Sequence, residues 1–156
     1  MKKEIPWNKD LTGMPGYKKG NLRGIQGTGN EMLAVSRAMK HGLIVFFKAW
    51  PDTNYDLVID NKSNLYRVEV KGTGGDRLSL TRGWRAGKQI SRKAASRTRK
   101  INERDCDVLI GVNSKNGDCY IVPIKHVAKI PGKTVSLKTL APFKEKWGFF
   151  TKKRKL

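Results

Sequence analysis

A chain of 156 residues that is 38% apolar is long enough for one domain with a buried core and too apolar for wholesale disorder. Its 33 Lys and Arg against 13 Asp and Glu give a formal charge of +20, which points to nucleic acid or another anionic surface as partner. The longest apolar run, GLIVFF at 42–47, is far too short to span a bilayer, and the charged start MKKEIPWNKD has no apolar stretch behind it, so no membrane association and a cytoplasmic location are expected.

Residues 1–27 mix Gly, Pro and Lys with no period of 2 or 3.6 and read as an extended basic N-terminal arm. A helix is predicted over 29–41, stopped by Gly42 as its C-terminal cap. The continuous apolar run LIVFFKAW at 43–50 suits a buried strand. The turns PDTN and NKSN lead into strands at 55–60 and 65–72, and RLSLTR at 77–82 reads as a short third member. Residues 83–105 are strongly basic and only partly helical by pattern. CDVLIGVNS and CYIVPIKHV then read as two strands around the turn KNGD, followed by a short helix near 141–148 and a basic tail at 151–156. This order predicts one α/β domain over 28–150, with helices packed on a mixed sheet. Cys106 and Cys119 sit in separate apolar runs and read as reduced core residues, while His41 and His126 lack a second ligand at metal spacing.

The chemistry is concentrated in YDLVIDNKSNLYRVEVKG at 55–72. Alternate strand residues share a face, so Arg67, Glu69 and Lys71 look one way and Tyr66, Val68 and Val70 the other. If NKSN closes as a two- or four-residue loop, paired positions sum to 125 and Asp56 lies opposite Glu69. Two carboxylates in that position repel unless a cation sits between them, and a hard cation such as Mg2+ takes carboxylate oxygens well. Lys71, one step along the same face, is placed to orient or help deprotonate an attacking water. Glu31 adds a third acid beside the apolar stripe of the leading helix. A capping box formed by Thr28 and Glu31 is the competing explanation for that residue.

A leading helix with Glu, then Asp, a short gap and E-x-K resembles the PD-(D/E)XK nuclease superfamily, most closely the homing endonucleases encoded within group I introns. The likeness runs over residues 25–128, in GNEMLAVSRAMKHGLIVFF, YDLVID, YRVEVK and CDVLIGVN followed by CYIVPI. Tyr55 stands where the motif's name puts Pro, and Asp52 of the Pro51–Asp52 pair is set aside because it lies four residues early, in a turn. The resemblance implies a restriction-endonuclease-like core, metal ligation by Glu31, Asp56 and Glu69, and Lys71 as the catalytic lysine. It implies hydrolysis of DNA phosphodiesters with Mg2+, or Mn2+ as a substitute, inside a bacterial or phage-infected host cell. It also implies a homodimer or homotetramer, for which Trp147, Phe149 and Phe150 are the candidate apolar anchors.

The remaining charge is expected to face double-stranded DNA. On the arm these residues are Lys2, Lys3, Lys9, Lys18, Lys19 and Arg23, next to IPWNKDLTG, which resembles a short element found beside catalytic domains in intron and phage endonucleases. In the central segment they are Arg82, Arg85, Lys88, Arg92, Lys93, Arg97, Arg99, Lys100 and Arg104. Two other functions fit the sequence: a Holliday junction resolvase of the same fold, and a non-catalytic basic nucleic-acid-binding protein.

Overall fold

The computed structural model describes residues 19–49, 53–82 and 98–151, with side chains from residue 24 onward. Helix α1 (Lys19–Lys40) leads into strand β1 (Ile44–Phe47), then β2 (Leu57–Asp60) and β3 (Leu65–Thr73). Short strands β4 (Arg77–Ser79), β5 (Thr81–Arg82) and β6 (Arg99–Lys100) follow, then β7 (Val108–Asn113) and β8 (Cys119–Pro123). Helix α2 (Ile124–Lys129), strand β9 (Thr134–Ser136), a 3-10 turn (Ala141–Phe143) and helix α3 (Gly148–Thr151) complete the described chain.

Five strands form one mixed sheet in the order β1-β2-β3-β7-β8, in which β3 and β7 are parallel and every other neighbour is antiparallel. The sheet is covered on both faces, because alternate residues of its central strands enter two separate cores. Val108 and Ile110 join Ala34, Val35 and Ala38 of α1, together with Leu57, Ile59, Tyr66 and Val68. Leu109, Tyr120 and Val122 pack on the other side with Leu78, Leu80, Ile101, Val127 and Leu140. Gly111 lets the second layer come close: a Cβ there would lie 2.7 Å from Leu78 Cδ2.

The expected sheet with flanking helices is present, with local corrections. Helix α1 begins at Lys19, so residues 19–27 are helical rather than extended. Its several glycines hide the helical period, yet each costs only about 1 kcal/mol once the packed turns around Ala34 and Val35 have nucleated the helix. Thr28 therefore lies inside the helix and cannot cap it, which removes the capping-box account of Glu31. Gly42 adopts φ +74°, as a C-terminal cap requires.

Strand β1 is a four-residue edge rather than a buried strand, and it leaves Ile44, Phe46 and Phe47 exposed. An unbroken apolar run cannot by itself tell an edge strand from a central one. RLSLTR does not join the main sheet: β4 pairs with β9, and β5 pairs with β6. The predicted strand at 119–127 stops at Pro123, and Ile124 and Val127 then turn one helical face onto the core. The predicted helix near 141–148 is instead the 3-10 turn followed by α3.

The C-terminal aromatics serve the core. Trp147 and Phe150 are buried, and the ring of Phe150 lies edge-on to Tyr66 at 5.3 Å. They are thereby removed as interface anchors, and Phe149 is partly buried against the same cluster. Cys106 and Cys119 are buried free thiols, each pushed up to about 12 mainly by desolvation, so both stay protonated. No helix among the described residues is long and apolar enough to cross a membrane.

Candidate active site

The hairpin of β2 and β3 closes through the four-residue turn 61–64, and its paired positions sum to 125, from Leu57↔Val68 to Asp60↔Leu65. Asn61 builds that turn by accepting the N–H groups of Ser63 and Asn64 at 3.0 and 2.7 Å. Continued by one residue, the register sets Asp56 against Glu69.

At Asp56 the side chain takes over from the ladder. The Asp56 N–H donates to the Val68 carbonyl at 2.8 Å, and its Oδ2 accepts the Val70 N–H at 2.8 Å. The carboxylate is thus fixed by backbone on both sides of Glu69. Its Oδ1 meets Lys48 Nζ at 3.2 Å.

Glu69 is almost fully buried, with only 3% of its surface exposed. A bare carboxylate would be costly there, and two cations attend it. Lys71 Nζ lies 2.7 Å from Oε1, and Arg82 Nη1 lies 3.2 Å from Oε2. Burial and the nearby Asp56 nevertheless raise the Glu69 carboxyl above the ordinary glutamate range, against the opposing pull of Lys71 and Arg82.

Glu31 reaches the same place from α1. Partial burial raises its carboxyl, and Asp56 and Glu69 push it further while Lys48 and Lys71 pull it back. The structure therefore brings Glu31, Asp56, Glu69 and Lys71 together, and adds Lys48 and Arg82. Lys48 had a visible signal that sequence reasoning missed: it is the one charge in an otherwise apolar run.

A steric clamp locks α1 onto β3 beside these residues. A Cβ on Gly72 would lie 1.9 Å from Asn30 Nδ2, so only glycine lets the Asn30 amide lie against the strand. Ser114, in the turn after β7, donates its hydroxyl to Asn30 Oδ1 at 3.0 Å. Asn30 precedes Glu31 and Gly72 follows Lys71, so the contact sets the spacing of two of the converging side chains.

The donor set is all carboxylate oxygen, which suits a hard divalent cation rather than zinc or copper. The neighbouring carboxylates raise the Glu31 and Glu69 carboxyls beyond what burial does, Asp56 acting on both and Glu69 on Glu31, and that repulsion is what such a cation would relieve. Among the described residues no three His, Cys, Asp or Glu side chains stand in a ready-made cage; ammonium and guanidinium groups occupy the gaps.

Three of the basic side chains expected on DNA have partners within the fold. Arg82 also donates to the carbonyls of Asn54 and Thr53 at 2.6 and 2.8 Å, which ties β5 to the approach of β2. Arg99 forms a two-pronged pair with the buried Asp105, both contacts at 2.6 Å, and holds that carboxyl well below the ordinary aspartate range. Lys100 donates to the Ile130 carbonyl. Arg104 is exposed on the turn before β7. Lys2, Lys3, Lys9, Lys18, Arg85, Lys88, Arg92, Lys93, Arg97 and the tail lie outside the described residues, as do the side chains of Lys19 and Arg23. His41 stacks on Trp147 at 5.5 Å and His126 packs against Phe143 at 4.4 Å, both away from the acids.

The PD-(D/E)XK endonuclease family matches residues 25–150, a span that holds all four converging side chains. The solved structure of a bacterial homing endonuclease, I-Ssp6803I, superposes with a TM-score of 0.67 over 82% of this chain and 92% of that one, at 19% sequence identity. That likeness gives the restriction-endonuclease-like fold. No curated protein sequence matches.

Proposed function

The chain belongs to the PD-(D/E)XK endonuclease family, and on that premise we propose that it is a divalent-metal-dependent endonuclease of the homing type, hydrolysing phosphodiester bonds in duplex DNA. The observation that carries the proposal is the convergence of Asp56 and Glu69 at facing hairpin positions, with Lys71 2.7 Å from Glu69 and Glu31 within their electrostatic reach.

Glu31, Asp56 and Glu69 are the residues that would hold Mg2+, or Mn2+ in its place. When bound, the ion would supply Lewis-acid activation of water and neutralise charge developing on the leaving oxygen. The protein contributes fixed geometry: the Asp56 carboxylate is held by Val70 N–H, and the Glu69 carboxylate is held between Lys71 and Arg82. The Lys71 ammonium can donate to a phosphate oxygen or to the attacking water, in a site shielded enough for that contact to be strong.

One such constellation cuts one strand, so cleavage of both strands calls for two copies related by a two-fold axis, in a homodimer or homotetramer. Light scattering with and without DNA tests that assembly. Incubation with a pool of supercoiled plasmids carrying random inserts, so that a target site is sampled, and with a synthetic four-way junction, each with Mg2+ or EDTA, tests the activity. Linearised plasmid with Mg2+ alone is the expected result, and Lys71→Ala and Glu69→Ala should abolish it while DNA binding persists. Cleavage confined to the junction would make the protein a resolvase. DNA binding without cleavage of either substrate would make it a non-catalytic binder.

A further inference from the structure

Lys48 lies outside the family motif, yet its ammonium stands among the acids. It follows directly on β1 and reaches Asp56 Oδ1 at 3.2 Å, with its side chain 27% exposed. Glu31, Asp56 and Glu69 carry three negative charges when ionised, and Lys48, Lys71 and Arg82 carry three positive ones, so the site is neutral without metal.

The three cations are held differently. Arg82 is bound by Glu69 and by the Asn54 and Thr53 carbonyls, and its planar group is fixed by all three. Lys71 sits two residues from Glu69 on the same strand. Lys48 follows the exposed edge strand on a flexible four-carbon stem, and among the described residues its one direct contact is with Asp56, while Glu31 feels its charge from further off. A divalent cation on the Asp56 carboxylate would lie within a few ångströms of that ammonium, where like charges repel.

We propose that Lys48 is an exchangeable counter-cation: it neutralises Asp56 in the metal-free protein and must yield that carboxylate before a divalent cation can be held there. Lys48 thus sets the metal concentration at which the site loads and keeps the carboxylates from being left bare when it is empty. This rests on the reading above that Glu31, Asp56 and Glu69 hold a divalent cation.

The test is a calorimetric Mn2+ titration of the full chain without DNA, so that the readout is binding and not cleavage. Lys48→Met should bind Mn2+ at least fivefold more tightly than the parent, and Lys48→Gln, which keeps a hydrogen-bond donor to Asp56, should behave likewise. Lys40→Met is the control for a lost charge. Lys40 is exposed in the last turn of α1, about 14 Å along the helix from Glu31 and beyond one screening length at ~0.1 M salt. Its affinity should stay within twofold of the parent. In EDTA, Lys48→Met should also melt below the parent, with saturating Mn2+ closing the gap. Mn2+ affinity in both Lys48 variants equal to or weaker than that of Lys40→Met would overturn the proposal while leaving the metal site standing. A parent chain that binds no Mn2+ would overturn the metal site and this inference with it.

Discussion

Asp56 brackets Glu69: its N–H binds the carbonyl of Val68 and its carboxylate binds the N–H of Val70, the residues on either side of that glutamate. The carboxylate that would hold a metal is therefore also a structural acceptor, and two substitutions should separate the two duties. Asp56→Asn keeps an oxygen for Val70 N–H and should fold with little change in melting temperature while cleavage is lost. Asp56→Ala leaves that N–H and Lys48 without their acceptor and should cost a further ~1–3 kcal/mol in urea unfolding.

The contact of Asn30 with Gly72 predicts that Gly72→Ala is damaging out of proportion to one methyl group. A Cβ at 1.9 Å from the Asn30 amide has to displace that side chain and with it the bond from Ser114, which costs about 1–3 kcal/mol by the usual scale of overpacking. Because Glu31 and Lys71 adjoin the contact, cleavage should fall more than stability explains. Asn30→Ala in the Gly72→Ala background, which removes the clash, should restore stability more fully than activity. Denaturant midpoints measured beside cleavage rates check this.

Glu31 predicts a pH-dependent gain of stability. Its folded-state pKa is raised, so the fold favours the protonated acid; that contribution is complete below the ordinary glutamate range and is lost as pH rises through the raised value. At neutral pH the ionised side chain works against folding. Glu31→Gln should therefore melt above the parent at pH 7 to 8, with the gain vanishing near about pH 4, where the parent's acid is itself protonated. Cleavage should be lost across the range.

Arg99 separates a fold-holding arginine from a phosphate-binding one. Asp105 has no exposed surface and its two oxygens accept Arg99 at 2.6 Å each. Arg99→Ala should cost about 1–3 kcal/mol at neutral pH by leaving a buried carboxylate short of partners. The Asp105 pKa is lowered, so the stability it contributes is present above the ordinary aspartate range and lost as pH falls through the lowered value. The difference between variant and parent should accordingly shrink in strong acid. The slope of DNA affinity against salt should change little for this variant, in contrast to a residue that neutralises a phosphate.

Much of this was legible in the chain because it depends on near neighbours. The alternation of YRVEVK fixes which residues share a face, and a four-residue turn carried by Asn61 fixes which residue of β2 meets which residue of β3. The sequence made the pairing of Asp56 with Glu69 conditional on a two- or four-residue loop, and the folded turn has four. Gly42, at φ +74°, likewise announces the end of α1 by its own backbone freedom.

Other assignments depended on partners distant in the chain, and local pattern could not reach them. Arg82 and Arg99 read as part of one basic run, but a guanidinium within reach of a buried carboxylate pairs inward, and only the folded chain brings Glu69 and Asp105 within that reach. LIVFF reads as interior because it is apolar, yet its place at the sheet's edge exposes it. Trp147 and Phe150 read as free anchors until Tyr66 and α1 enclose them. The sequence by itself determined the two strands of the hairpin and which of their residues share a face, Glu69 with Lys71 among them, since these follow from side-chain period. Only the tertiary structure decided which cations answer those acids, because the energy of a charge pair depends on through-space distance and burial, and neither is written in the order of residues.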